Sequence, residues 1–191
     1  MAGENLRVLG FAGSLRRQSY NRGLLRAAVE AAPAGVAIET FDLTPIPLYN
    51  ADVEEKGLPP AVAQFKEKIR AADALLIVTP EYNYSVPGVL KNAIDWASRP
   101  ANESPLQKKP AALMGASGGQ MGTARAQLAL RQSFVFTETL VLPKPDIYVP
   151  HAAKSFDAEG NLTDEKLRAR IKTLLEALVR WVVLLRQGPA L

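Results

Sequence analysis

Short apolar runs alternate with longer amphipathic stretches along this sequence. Arg7 to Phe11, Ala37 to Phe41, Ala74 to Thr79 and Ala111 to Gly115 have the length and content of strands, and a last strand is expected within Thr139 to Val149. Helices are predicted between and after them, over Arg22 to Ala31, Pro60 to Ala71, Gly88 to Ala97, Thr123 to Phe134 and Asp164 to Gln187. Five strands with interleaved helices imply an α/β fold whose parallel sheet is covered on both faces. Such a sheet commonly takes the flavodoxin-like order 2-1-3-4-5, whose switch point between the first and third strands is where ligands bind.

At 191 residues the chain is expected to form a single domain, 1–191. The proline-bearing stretch Leu43 to Pro59 reads as a surface loop, with Tyr49 and Asn50 as candidates to border a site. In the final helix, Ile171, Leu174, Leu175, Leu178, Val182 and Leu185 form a core-facing stripe. Trp181, Val183 and Leu184 widen it, as either a broad core face or a surface for a second subunit.

Composition narrows the chemistry. With no cysteine there is no disulfide, thiol nucleophile or thiolate metal site, so any redox chemistry needs a bound cofactor. No apolar stretch is long enough for a membrane span, and Leu6 to Phe11 is too short for a signal-peptide core, so a cytoplasmic protein is expected. The net charge of +4 is spread along the chain without a nucleic-acid-binding motif, which suits small anionic ligands better than nucleic acid.

Three loops follow strands and enter helices. The first, Gly13-Ser14-Leu15-Arg16-Arg17-Gln18-Ser19-Tyr20-Asn21, offers small residues, two hydroxyls and an arginine at a helix start, with Asn21 expected to cap that helix. Helix N-termini present free N–H groups and partial positive charge, so this loop is suited to a monophosphate. It matches neither a dinucleotide fingerprint nor a nucleoside triphosphate loop. The second, Pro80-Glu81-Tyr82-Asn83-Tyr84, has backbone groups to read the edge of a flat heterocycle and tyrosines to supply apolar faces. In the third, Ser117, Gly118 and Gly119 expose backbone that a ring can approach closely.

The patterns Gly13-Ser14-x-Arg16-x-x-Ser19-x-Asn21, Pro80-Glu81-Tyr82-Asn83-x-Ser85-x-Pro87-Gly88-x-Leu90-Lys91-Asn92-Ala93-Ile94-Asp95-Trp96 and Gly115-x-Ser117-Gly118-Gly119 together resemble the NADPH-dependent FMN reductases, and within them the bacterial soluble quinone and chromate reductases. The resemblance runs from about Leu6 to the last helix, and its middle motif is the specific one. It implies a flavodoxin-like fold, bound FMN, NADPH or NADH as reductant, a quinone-like acceptor, and a homodimer or homotetramer. It carries FMN binding onto Gly13, Ser14, Leu15, Arg16, Ser19, Tyr20 and Asn21, with the phosphate on Ser14, Arg16, Ser19 and Asn21. Ring contacts fall on Pro80, Glu81, Tyr82, Asn83 and Tyr84, and further flavin contacts on Ser117, Gly118 and Gly119. The implied mechanism has two steps: NAD(P)H reduces the flavin and leaves, then an acceptor takes the electrons. No side chain is required as acid or base, and no metal is expected.

Two rival readings stand beside it. Gly115-Ala116-Ser117-Gly118-Gly119 also fits a nucleophile elbow, with Asp146 and the sole histidine, His151, following in hydrolase order. A non-enzymatic FMN electron carrier would share the fold, although such carriers are generally acidic and this chain is basic.

Overall fold

A computed structural model describes residues 6–188. Its strands are β1 (Leu6–Ala12), β2 (Val36–Phe41), β3 (Ala74–Val78), β4 (Pro110–Ala116), β5 (Leu140–Val141) and β6 (Ile147–Val149). The helices are α1 (Tyr20–Glu30), α2 (Ala51–Glu54), α3 (Pro60–Ala71), α4 (Gly88–Ala97), α5 (Ala124–Phe136) and α6 (Glu165–Gln187). All strand pairs are parallel, in the order β2-β1-β3-β4-β5. This is the expected flavodoxin-like order.

The expected last strand is two short pieces. Leu140–Val141 pairs with the start of β4 and Ile147–Val149 with its end, so the sheet has six strands where five were expected. Pro143 and Pro145 fall in the gap, and a residue without a backbone N–H cannot donate to a ladder. β2 lies at the opposite edge and is only partly buried, whereas β3 is buried throughout.

The two sheet faces carry separate cores. Leu24, Leu25 and Ala28 of α1 and Ile171, Leu174, Leu175 and Leu178 of α6 pack against Val8, Leu76, Val78 and Met114 on one face. Phe65 and Ile69 of α3, Ile94 and Trp96 of α4 and Leu130 and Phe134 of α5 pack against Leu9, Phe11, Leu75, Ile77 and Leu113 on the other. Full burial of one such side chain contributes roughly 1.5–3 kcal/mol, so the two layers fix where the strand ends lie.

Trp181 belongs to the fold itself: it is half-buried, and its Nε1 donates to the Leu140 carbonyl at 2.8 Å. Val183 and Leu184 remain exposed. The stretch expected as loop contains α2, capped by the Asn50 side chain, which accepts from Asp52 N–H at 2.9 Å. It is buckled to α4 by the second half of the long motif. Asn92 Nδ2 and Trp96 Nε1 both donate to the Pro47 carbonyl at 2.8 Å, and Asn92 Oδ1 accepts from Tyr49 N–H. Tyr49 is thereby spent on packing, its ring edge-on to Trp96 and its hydroxyl donating to Glu54 at 2.8 Å.

Candidate functional site

The first loop leaves β1 at Gly13, whose N–H donates to Val78 of the adjacent β3, so β1 and β3 end together. Helix α1 begins at Tyr20, two residues before the expected start, and its cap is Ser19, not Asn21: Ser19 Oγ accepts from Asn21 N–H at 3.2 Å. Asn21 instead lies buried in the first turn of α1 and reaches across to β4. Its Nδ2 donates to the Ala116 carbonyl and its Oδ1 accepts from Ala116 N–H, each at 2.9 Å. The side chain expected at a phosphate therefore ties the first loop to the strand carrying the third.

Other groups of the first loop remain open. Among the described residues, the backbone N–H groups of Leu15, Arg16, Arg17 and Gln18 find no acceptor, and these four residues are exposed. The Arg16 guanidinium lies 5.2 Å from the Tyr20 ring centroid, and that ring packs on Phe156. Ser14 is buried, with its hydroxyl 3.5 Å from the Tyr82 hydroxyl and its carbonyl accepting from Arg22 Nε at 3.2 Å. A cleft of about 460 Å³ lies between α1 and β2, but no residue of the three loops lines it. Its charges are already paired: Arg22 with Asp42 at 3.0 Å, and Arg26 with the Gly160 carbonyl and Asn161.

The second loop is a tight hairpin. Tyr82 and Ser85 exchange backbone hydrogen bonds at 3.2 and 2.9 Å, with Asn83 (φ 48°) and Tyr84 (φ 63°) both left-handed between them. Two positive-φ positions make the turn that suits a two-residue hairpin, but a tyrosine there is strained and needs external support. Arg125 supplies it, with its guanidinium 3.6 Å from the centre of the exposed Tyr84 ring.

Arg125 is held in turn by Glu81. Glu81 Oε2 accepts from the backbone N–H groups of Arg125 and Ala126 at 2.9 and 3.1 Å, and Oε1 from Arg125 Nε and Nη2 at 2.7 and 2.6 Å. Thr123, at the start of α5, makes no side-chain cap, so the carboxylate of the second loop caps this helix across space. The Glu81 side chain, 5% exposed, has no capacity left for a ligand; only its backbone can face one. The second-loop motif contains Glu81, but nothing local in the sequence links it to Arg125, 44 residues further on.

In the third loop Ser117 is a staple. Its hydroxyl donates to the Gly122 carbonyl at 2.6 Å and accepts from Gly119 N–H at 3.2 Å, while its backbone pairs with Val149 and Ala152. Gly118 and Gly119 are exposed, and a Cβ on Gly118 would meet nothing within 4 Å. Just before them Gly115 is the reverse case: a Cβ would come within 2.1 Å of the Thr79 carbonyl and 2.4 Å of Thr123 Oγ1. That close approach brings the ends of β3 and β4 together.

The hydrolase constellation does not assemble. Ser117 is bonded to Gly122 and Gly119, and Asp146 is paired with Lys144 and, at 3.8 Å, with Arg131. Tyr148 also faces Asp146, its phenol pushed up by burial and then by that carboxylate. His151 is exposed, and its backbone N–H donates to the Gly119 carbonyl at 3.2 Å. Among the described residues no group of three or more His, Cys, Asp or Glu is arranged to hold a metal, and no helix is long and apolar enough to cross a membrane.

Among the described residues, the edge thus presents unpaired backbone donors and an exposed guanidinium stacked on Tyr20 from the first loop, exposed tyrosines and hairpin backbone from the second, and the open backbone of Gly118 from the third. These fit a flat heterocycle with a phosphate tail. Residues 6–154 match the family described as NADPH-dependent FMN reductase. An NAD(P)H-dependent FMN reductase of Pseudomonas aeruginosa is 55% identical over 183 residues, covering 96% of this chain and 98% of that protein. A quinone reductase of Pseudomonas putida is 44% identical over 174 residues, covering 91% and 93%. The solved structure of FerB, a flavoenzyme NAD(P)H:(acceptor) oxidoreductase from Paracoccus denitrificans, superposes with a TM-score of 0.84 at 35% identity, covering 93% of this chain and 97% of that one. With the family match spanning most of its length and such identity to its relatives, this chain belongs to the NADPH-dependent FMN reductase family.

Proposed function

We propose that this protein is an FMN-dependent NAD(P)H oxidoreductase that passes electrons to quinones or related acceptors, acting as a single domain over residues 1–191. The observation that carries the reading is the set of N–H groups at Leu15 to Gln18, unpaired among the described residues, beside the Arg16 guanidinium, on the same sheet edge as the open backbone of Gly118. Relatives named for FMN reduction and for quinone reduction support both halves of the reaction.

In this reading the first loop takes the phosphate. Four backbone donors and a guanidinium would hold a dianion with charge-assisted bonds, and the Ser19 hydroxyl, which accepts from Asn21 N–H, keeps its proton to donate. Asn21 holds that loop to β4 and Glu81 holds the second loop to α5. The Pro80 to Tyr84 backbone and the exposed glycines of the third loop would hold the isoalloxazine ring of FMN. When bound, FMN supplies the two-electron transfer between NAD(P)H and the acceptor, and the order is two-step. No side chain is assigned as acid or base.

The same reading includes a cytoplasmic location, which a cysteine-free sequence suits, and a homodimer or homotetramer. Assembly is supported by α5, whose Leu128, Val135 and Phe136 are 61%, 79% and 76% exposed.

The deciding experiment is the anaerobic visible spectrum of the FMN-loaded protein before and after one equivalent of NADPH. Bleaching supports the reductase. A flavin that binds without bleaching indicates a carrier, and failure to bind FMN removes the reading.

A further inference from the structure

The Glu81–Arg125–Tyr84 chain of contacts is more elaborate than a helix cap requires. Two backbone N–H groups already give the carboxylate a capping role, yet it also fixes Arg125 through two guanidinium nitrogens, and the same guanidinium lies on the Tyr84 ring. Tyr84 is the position in the second loop with the least reason to stay put. It is 71% exposed, left-handed, and bulky. A loop in that state exchanges readily with open conformers unless something outside it selects one.

We propose that Glu81 and Arg125 form a clamp that holds the Tyr82–Ser85 hairpin in its left-handed conformation, and that both are positioning residues for the cofactor reached through that hairpin. The proposal rests on the FMN reading for its second half, whereas the clamp itself rests on the geometry alone. The guanidinium is aimed by the buried carboxylate, and a planar fork can satisfy a carboxylate and cover an aromatic face at once. A lysine offers a point charge in its place and cannot do both. The clamp also joins α5 to the second loop, so movement of that helix start is transmitted to the backbone that borders the ring.

Arg125→Met leaves Glu81 capped by the two backbone N–H groups, so the helix start survives while the ring cover is lost. In this variant, and in Arg125→Lys, amide exchange at Tyr82 and Ser85 is expected to accelerate about ten-fold, a coupling within the range of neighbouring groups, with exchange at Leu76 of buried β3 unchanged. FMN affinity falls by a similar factor. Tyr84→Ala weakens FMN binding in the same way, and adding Arg125→Met to it produces little further loss, because the two act through one element.

Unchanged exchange at Tyr82 and Ser85 in both arginine variants overturns the clamp, whatever happens to flavin binding. Losses that multiply in the double variant overturn the route through Tyr84. Faster hairpin exchange in a protein whose wild type binds no FMN upholds the clamp and removes the cofactor reading instead.

Discussion

The side chain of Asn21 and the backbone of Ala116 exchange two hydrogen bonds of 2.9 Å, joining the first turn of α1 to the last residue of β4. Both partners are buried. Asn21→Ala strands the Ala116 N–H and carbonyl, and each such group costs about 1–3 kcal/mol. A loss of roughly 3 kcal/mol in urea unfolding is expected, together with weaker FMN binding. Asn21→Asp keeps the acceptor but faces the Ala116 carbonyl with a carboxylate, so it should be no better than the alanine variant.

Arg16 differs in kind, because its guanidinium is exposed and, among the described residues, bonded to no acid. Arg16→Ala should leave unfolding within about 0.5 kcal/mol of wild type, as surface substitutions generally do. Its FMN affinity should drop ten-fold or more, since a charge-assisted bond is worth about 1.5–3 kcal/mol. Riboflavin, which lacks the phosphate, should bind both proteins equally in a fluorescence-quenching titration. Equal loss for both ligands would move the phosphate elsewhere.

Gly115 tests the meeting of the strand ends. A Cβ at 2.1 Å from the Thr79 carbonyl cannot be absorbed by a side-chain rotation, because the neighbour is backbone. Gly115→Ala should lower stability by about 1–3 kcal/mol, the usual cost of overpacking, with a lower thermal midpoint. Gly118→Ala, with open space around it, should keep wild-type stability and reveal through FMN affinity alone how closely a ring approaches.

Ser117 separates the oxidoreductase from the hydrolase. Its hydroxyl is bonded inside its own loop, so serine-directed organophosphates should leave NADPH oxidation unchanged and wild-type protein should not cleave activated esters. His151→Asn should likewise retain NADPH oxidation. Loss of turnover on labelling of Ser117 would reverse the assignment.

Acid stability should depend on Asp164, which caps the long α6. Leu167 N–H donates to its carboxylate, and this bond is the principal favourable cause holding its pKa below the ordinary carboxyl value, with Ser155 adding to it. A depressed folded-state value means stability that is present above the ordinary carboxyl range and lost as pH falls through the lowered value. Urea midpoints measured from pH 5 downward should therefore decline less steeply in Asp164→Asn than in wild type.

The strands, most helices and the three loops were legible in the sequence because each rests on local information: apolar runs of strand length, helical spacing between them, and glycine, serine or proline at the junctions; the order 2-1-3-4-5 matched the one such sheets commonly take. The break in the last strand was visible only as Pro143 and Pro145, and pairing along β4 decided that both halves would still join the sheet. Roles within the motifs were the hidden part. Asn21 and Glu81 read as ligand-facing, and both bond to residues far along the chain, Ala116 and Arg125. Tyr84 acquires its partner in the same way, and Asn92 and Trp96 spend their donors on Pro47. Thus the sequence by itself determined most of the strands and helices and the residue types at their junctions, but not α2 or the split last strand, since propensity and periodicity act over a few residues. Only the tertiary structure decided which of those side chains face outward and which lock the loops together, because a buried hydrogen bond is satisfied by whatever the fold brings within 3 Å, irrespective of separation along the chain.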